Sequence, residues 1–300
     1  MGRGYDADQV RHRLIRILDE SEAGMSGVEL ASKMGMSRIT LSKYLLYFEQ
    51  HGVVHGKRIG NVTVWSIKSG FNDYSFPQDY FKVESAYMDM VLSGNAEDAI
   101  RLLERCVHSG AAPDKLILET IMPAFESIDR MYRTQKIGGL EMISFRDTLD
   151  RSLYALGDSQ NIISTKNCIT IETETIPDMS CRSVTAVLRS DGWHAYSLGD
   201  VSGVMDVFFD LELQKLLGRV WRGTPGVMIL IVFGSNPDAF RFLADVFDTI
   251  RKKTSGNIRL AFCGDTGGKL LGSEMATTDV SNLIQWCDTI HQNMIKSLNS

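Results

Sequence analysis

From about residue 164 onward, short apolar runs alternate with longer stretches of helical periodicity, and this alternation constrains the fold more than any other feature of the chain. The runs at 168–173, 193–198, 227–233 and 258–263 have strand length. Between and after them, 181–190, 205–217, 237–252 and 280–295 repeat apolar residues at helical intervals. Strands that are each followed by a helix lie parallel and are joined by right-handed crossovers. A doubly wound α/β parallel sheet is therefore expected over 164–300.

The middle of the chain has a different rhythm. Apolar positions follow helical spacing over 82–93, 95–108, 113–134 and 139–156, with breaks at Gly94, Gly110 and Gly138-Gly139. A four-helix bundle over 82–160 accounts for this pattern. Before it, FNDYSFPQDYF at 71–81 has no regular period and reads as a linker or docking strap.

Residues 1–70 form a third region. Val10, Leu14, Ile17 and Leu18 mark a first helix over 6–20. Ser26 is placed to cap a second at 27–33 carrying Val28, Leu30 and Ala31, with Glu29 in the capping-box position. After a turn at Gly35, Ser37 caps a third helix over 38–50, in which Ile39, Leu41, Leu45, Leu46 and Phe48 are expected to face the core. Two short strands around Gly60-Asn61 follow, drawing strand character from Val62, Val64 and Ile67. Three helices and a hairpin in this order describe a winged helix-turn-helix domain. The phrase SRITLSKYL looks like the recognition helix of many bacterial and archaeal regulators. Ser37, Arg38, Thr40, Ser42 and Lys43 supply hydroxyls and cations for a major groove, and Lys57 and Arg58 on the wing supply cations for phosphate. Double-stranded DNA is the expected partner. Because one wing domain binds weakly, two copies on adjacent half-sites, and hence a homodimer, are expected.

Charge points the same way, though modestly. The chain carries 32 Lys and Arg against 37 Asp and Glu. Residues 1–70 hold ten cations against seven acids, so this region is net positive and the remainder negative. The longest apolar runs, such as VMILIVF at 227–233, are too short to span a bilayer, and the N-terminus has no apolar stretch of signal type. A cytoplasmic protein is expected. Five cysteines without a C-x-x-C pair suggest reduced, mostly buried thiols and no structural metal site.

The run from Leu92 to Leu153 resembles the four-helix module that precedes the cobalamin-binding domain in methionine synthases, methanogen corrinoid proteins and light-responsive cobalamin regulators. The resemblance rests on the Gly94-Asn95 break, the Gly110 break before Pro113 and the phrase Ile121-Met122-Pro123-Ala124. In that family the helices lie over the upper face of the corrinoid. VTAVLRSDGWHAYSLGD similarly resembles the first helix and second strand of the family's cobalamin-binding domain, and Gly234-Ser235 and Cys263-Gly264 fall where it has a small hydroxyl residue and a glycine pair around the nucleotide tail. The resemblance implies a doubly wound sheet of cobalamin-binding type.

The family's ligand residues are altered. Its upper-face Trp and Glu-His correspond to Tyr132, Met142 and Ile143, of which Tyr132 can pack on a flat macrocycle while Met142 and Ile143 suit a core. The D-x-H-x-x-G motif that ligates cobalt from below corresponds to Thr175, Pro177 and Ser180, and proline offers no lone-pair nitrogen. Cobalamin without that histidine, or haem, is the cofactor choice left open. Candidate ligand contacts are Tyr132, Met142, His194, Ser235 and Gly264, with His108 and the GDTGG loop at 264–268 behind them. No catalytic constellation stands out, and an enzyme is not expected. The function read here is a transcription regulator whose C-terminal half senses a tetrapyrrole or a protein partner. A corrinoid methyl-carrier or methyltransferase component, and a cofactor-free dimerisation or antirepressor module, are the alternatives.

Overall fold

The computed structural model of the chain describes residues 7–19, 21, 24–67, 74, 76–157, 161–174, 179–206, 208–221, 226–253, 257–264 and 273–298. They divide into two compact units, one comprising 1–80 with 104–111 and the other 81–103 with 112–300.

The first unit contains α1 (Ala7–Asp19), β1 (Met25–Ser26), α2 (Gly27–Met34), α3 (Arg38–Gln50), β2 (Val54–Ile59) and β3 (Val62–Ile67). Val10, Leu14 and Leu18 of α1, Leu30 and Met34 of α2, and Leu41, Leu45 and Phe48 of α3 share one core. The caps work as their residue types dictate. The Ser26 hydroxyl accepts from the Glu29 amide while Glu29 accepts from the Ser26 amide, a complete capping box, and Gly35 ends α2 at φ +63°. Ser37 caps α3 by accepting from the Thr40 amide at 3.1 Å. Strand β3 pairs antiparallel with β2 on one side and with β1 on the other, a third strand not anticipated from the sequence.

Two expectations for α3 are corrected. Ile39 and Leu46 do not face the core but are 76% and 56% exposed. The buried stripe of α3 runs through Leu41, Leu45 and Phe48, and at 100° per residue positions 39 and 46 fall outside it. Val28 of α2 is likewise exposed.

The second unit begins with α4 (Tyr80–Leu92) and the first part of α5 (Ala96–His108), followed by α6 (Pro113–Leu116), α7 (Met122–Arg133) and α8 (Gly139–Gly157). The single helix expected over 113–134 is interrupted by a π-helical turn, Ile117–Ile121. Pro123 lies just beyond it, where it can neither donate to the Glu119 carbonyl nor tolerate that carbonyl at α-helical distance, and the wider turn provides the room. Helices α4 and α8 are fastened by a buried relay: Tyr87 Oη donates to Ser152 Oγ at 2.8 Å, and Ser152 donates to the Thr148 carbonyl. Burial pushes the Tyr87 phenol well above its ordinary value.

The sheet comprises β4 (Lys166–Glu172), β5 (His194–Asp200), β6 (Val227–Phe233), β7 (Asn257–Cys263) and β8 (Met275–Thr277). All pairings are parallel, in the order β5-β4-β6-β7-β8. The helices are α9 (Ser180–Ser190), α10 (Phe209–Val220), α11 (Pro237–Lys253) and α12 (Val280–Leu298). Alternate side chains of the strands supply two cores. Ile169, Leu230 and Phe262 meet α10 and α11, whereas Cys168, Ile229 and Ala261 meet α9 and α12. Strand β6 is buried at every position, as a central strand covered on both faces must be. Helix α9 is buried almost all round, because α6 and α8 pack on the side that the sheet leaves open. Gly157 of α8 comes so close to Ala186 that a Cβ there would stand 3.1 Å from its Cα.

The helix expected at 205–217 starts later. The Asp206 carboxylate accepts from the Phe208 amide at 2.8 Å, closing a turn that delays the helix to Phe209. All five cysteines are buried free thiols, and burial raises Cys106 to about 12 and Cys168, Cys181 and Cys287 well above the ordinary thiol value. Among the described residues no helix is long and apolar enough to cross a membrane.

Candidate functional site

In the first unit the candidate DNA contacts lie at the start of α3, along it and on the β2–β3 hairpin. The inward stripe of α3 leaves Arg38, Ser42 and Lys43 exposed along its outer side, with Thr40 half-buried. The hydroxyls of Ser37 and Thr40 bond each other at 2.8 Å, so they shape the helix start as well as facing outward. Lys57 and Arg58 lie opposite Val64 and Thr63 in the hairpin, both exposed. As neighbours on one strand they project to opposite faces of the ribbon, so one phosphate cannot engage both in the same way. Among the described residues none of Arg38, Lys43, Lys57 and Arg58 is paired with a carboxylate. Ile39, Leu46 and Tyr47 add apolar surface to the same helix.

In the second unit the strand order reverses direction between β4 and β6. In open α/β sheets the ligand crevice lies beyond the carboxyl ends of the strands at such a point. Here those ends carry Thr173, Glu174, Gly234, Ser235 and Gly264. The Thr173 amide and hydroxyl both donate to the Phe233 carbonyl, and the Gly234 amide donates to the Cys263 carbonyl. Ser235 donates through its amide and, at 2.7 Å, through its hydroxyl to the Glu174 carboxylate. Gly264 has φ +143°, and a Cβ on it would lie 1.8 Å from the Gly234 oxygen. A Cβ on Gly234 would meet Thr173 Oγ1 at 2.0 Å. The glycines expected to cradle a ligand are used for close contact between the protein's own strand ends. A carboxylate already occupies Ser235. Positions 175 and 177 of the missing motif, and 265–268 of the glycine-rich loop, lie outside the described residues; Ser180 opens α9.

The helical candidates separate on burial. Tyr132, near the end of α7, is half exposed, whereas Met142 is buried in α8 and withdrawn from any ligand surface. Ile143, expected in the core, is 68% exposed beside the exposed Leu140, because the buried stripe of α8 runs through Met142, Phe145 and Leu149. His194 is exposed at the start of β5, in the wall of a cavity shared with α8 and α9 and away from the strand ends. The side chain of His108 lies outside the described set.

Sequence reading missed three groups. Glu174 carries no motif and acquires meaning only through Ser235. Arg182 and Arg189 are seven residues apart on α9, a spacing that signals one helix face. The third is a charge cluster at the amino end of the sheet. There Lys166 Nζ, its side chain 11% exposed, bonds Asp191 at 2.6 Å, stands 3.6 Å from Asp288 and lies over the Trp193 ring. Burial raises the Asp288 carboxyl, helped by neighbouring Asp191, and burial with Lys166 nearby lowers His291. Its partners come from three elements far apart in sequence.

No family profile matches this sequence, and no curated protein does. Among solved structures, the monomethylamine corrinoid protein of Methanosarcina barkeri is similar, with 12% identity and a TM-score of 0.51, over 68% of this chain and 96% of that one. The methanol:cobalamin methyltransferase complex of the same organism matches at 16% identity and a TM-score of 0.36, over 73% of this chain and 81% of that one. A cobalamin-binding protein from Desulfitobacterium hafniense DCB-2 matches at 10% and 0.32, over 69% and 97%. At these identities the likeness to the monomethylamine corrinoid protein is one of fold. The parallel five-stranded unit of this chain is Rossmann-like, with a fold similar to that of the corrinoid protein.

Proposed function

We propose that this chain is a DNA-binding transcription regulator in which a winged helix-turn-helix, the first unit, is joined to a cobalamin-binding-like sensor. The observation that carries the reading is the set of four exposed cations, Arg38 and Lys43 on α3 with Lys57 and Arg58 on the hairpin, which have no carboxylate partner among the described residues. Unneutralised cations on a helix and ribbon of this size suit phosphates and base edges flanking a major groove. Two copies acting on adjacent half-sites supply the affinity one unit lacks. Gel shifts with the upstream region of the protein's own gene test this. Binding should appear at low salt and weaken steeply as salt rises. No shift at low salt would overturn the reading.

The residues present do not fit a cobalamin held in the manner of the corrinoid family. Pro177 replaces the cobalt-ligating histidine, and both Ser235 donors are committed to Glu174. The sensor therefore responds to a partner protein or to a ligand held elsewhere, and no reaction is assigned to it. The fold likeness favours one rival, a corrinoid methyl-carrier. Gel filtration after mixing with hydroxocobalamin or haemin separates the two: the protein should emerge colourless, and a retained corrin spectrum would move the assignment to the carrier.

A further inference from the structure

The second unit contains a cavity of about 370 Å³ walled by α8, α9 and the edge strand β5, separate from the strand ends where the cobalamin-binding-like fold has its crevice. Its volume falls at the lower end of the range for small-molecule sites. Two arginines on one face of α9 line it, about 10 Å apart along the helix axis at 1.5 Å per residue. They are not equivalent. Arg182 is neutralised by an ion pair with Asp150. Arg189 donates from Nε to the Ala195 carbonyl at 2.9 Å, which holds the guanidinium against β5, and it has no carboxylate partner among the described residues. The same cavity is lined by the exposed His194, which precedes Ala195 on β5.

The rest of the lining is apolar. Leu153, Ala186 and Ile162 contribute aliphatic surface, and Tyr154 presents a ring that is 74% exposed. A fixed guanidinium whose terminal donors have no partner among the described residues, together with aliphatic surface and an exposed aromatic ring, matches one ligand chemistry. The anionic end takes the paired donors of Arg189 in the forked geometry that favours carboxylates, and a flat body covers Tyr154 and Ile162. We propose that this cavity is a binding site for an aromatic carboxylate, with Arg189 as its anion anchor and Tyr154 as its stacking surface. The site does not depend on the DNA-binding reading.

The test uses the full chain and three probes: 2-naphthoate, 2-naphthylmethanol, which lacks the charge, and acetate, which lacks the ring. Binding is followed by calorimetry and by the imidazole resonances of His194. Naphthoate should bind saturably and shift the His194 signals, with the other two at least about tenfold weaker, the usual scale of one charge-assisted contact. Arg189→Met should weaken naphthoate by about tenfold, and Tyr154→Ala by a smaller factor. Because Arg189→Met also removes the bond to Ala195, its thermal melt is compared with wild type. If it fails to fold, Tyr154→Ala, which removes a mostly exposed ring, decides together with the His194 shifts. Absence of saturable naphthoate binding, equal affinity for naphthylmethanol, or unchanged binding in the folded variants would overturn the assignment.

Discussion

The two units treat their charged side chains in opposite ways. On α3 and the hairpin, Arg38, Lys43, Lys57 and Arg58 face water without a carboxylate partner among the described residues. In the second unit several cations are tied down, Arg189 being an exception: Arg151 to Glu97, Arg182 to Asp150, Lys166 to Asp191 and Arg259 to Glu274. An unpaired exposed cation contributes little to folding and remains available to an external anion. A paired, half-buried one contributes to the fold and is spent there. The contrast says where substitutions should cost binding and where they should cost stability.

The severest challenge is in the second unit. Gly264→Ala would force a Cβ to 1.8 Å from the Gly234 oxygen at a φ that side chains rarely adopt. A loss of about 3 kcal/mol or more is expected in urea unfolding, the scale of local strain combined with overpacking. A stability near wild type would mean that the strand ends are not packed as described. Next comes Lys166→Met, which leaves Asp191 and Asp288 facing each other without their cation. Both carboxylates keep some solvent, so a loss of about 2 kcal/mol, below the range for fully buried pairs, is expected, with DNA affinity unchanged.

In the first unit the readout inverts. Arg38→Ala and Lys43→Ala should each lower DNA affinity by roughly tenfold and leave the melting temperature within a degree or two. A drop in stability without loss of binding would undo the comparison. Ile39 sharpens it further, since an exposed isoleucine at the start of α3 suits contact with a thymine methyl. Replacing single thymines by deoxyuridine in the bound site should weaken wild-type binding a few-fold at one position and leave Ile39→Ala indifferent there.

The smallest effect concerns acid. Burial and Lys166 lower His291 below its ordinary 6.5, so the folded protein resists protonating it. As pH falls below 6.5 the unfolded chain takes up the proton first. The stability due to neutral His291 is therefore full above 6.5 and declines as pH drops from there towards the lowered folded value. His291→Gln should shrink the fall in melting temperature between pH 7.5 and 5.5 by about 1–2 °C.

Elements were readable where local pattern and tertiary demand coincide. Gly35, Ser26 with Glu29, and Ser37 define helix ends within a few residues, so α2 and α3 were placed almost to the residue. The four short apolar runs became β4 to β7 because only strands of that length fit between helices in a parallel sheet. Strand β8, three residues long and only partly buried, had too weak a pattern to stand out. Periodicity misled at Ile39, Leu46 and Ile143, since apolar identity alone does not say which of several helix faces the partner covers.

By itself, then, the sequence determined most of the helices and the strands β2 to β7, though not β1, β8 or the π-helical turn, together with the parallel character of the sheet and the identity of the cations on α3 and the hairpin. These follow from interactions among residues near one another in the chain. Tertiary structure alone decided that Glu174 closes on Ser235, that Gly234 and Gly264 meet backbone to backbone, and that Arg189, held against β5, lines one cavity with Tyr154. Each of these joins residues from separate strands or helices. Their meeting depends on strand order and on the approach of α8 to α9, which no local pattern encodes.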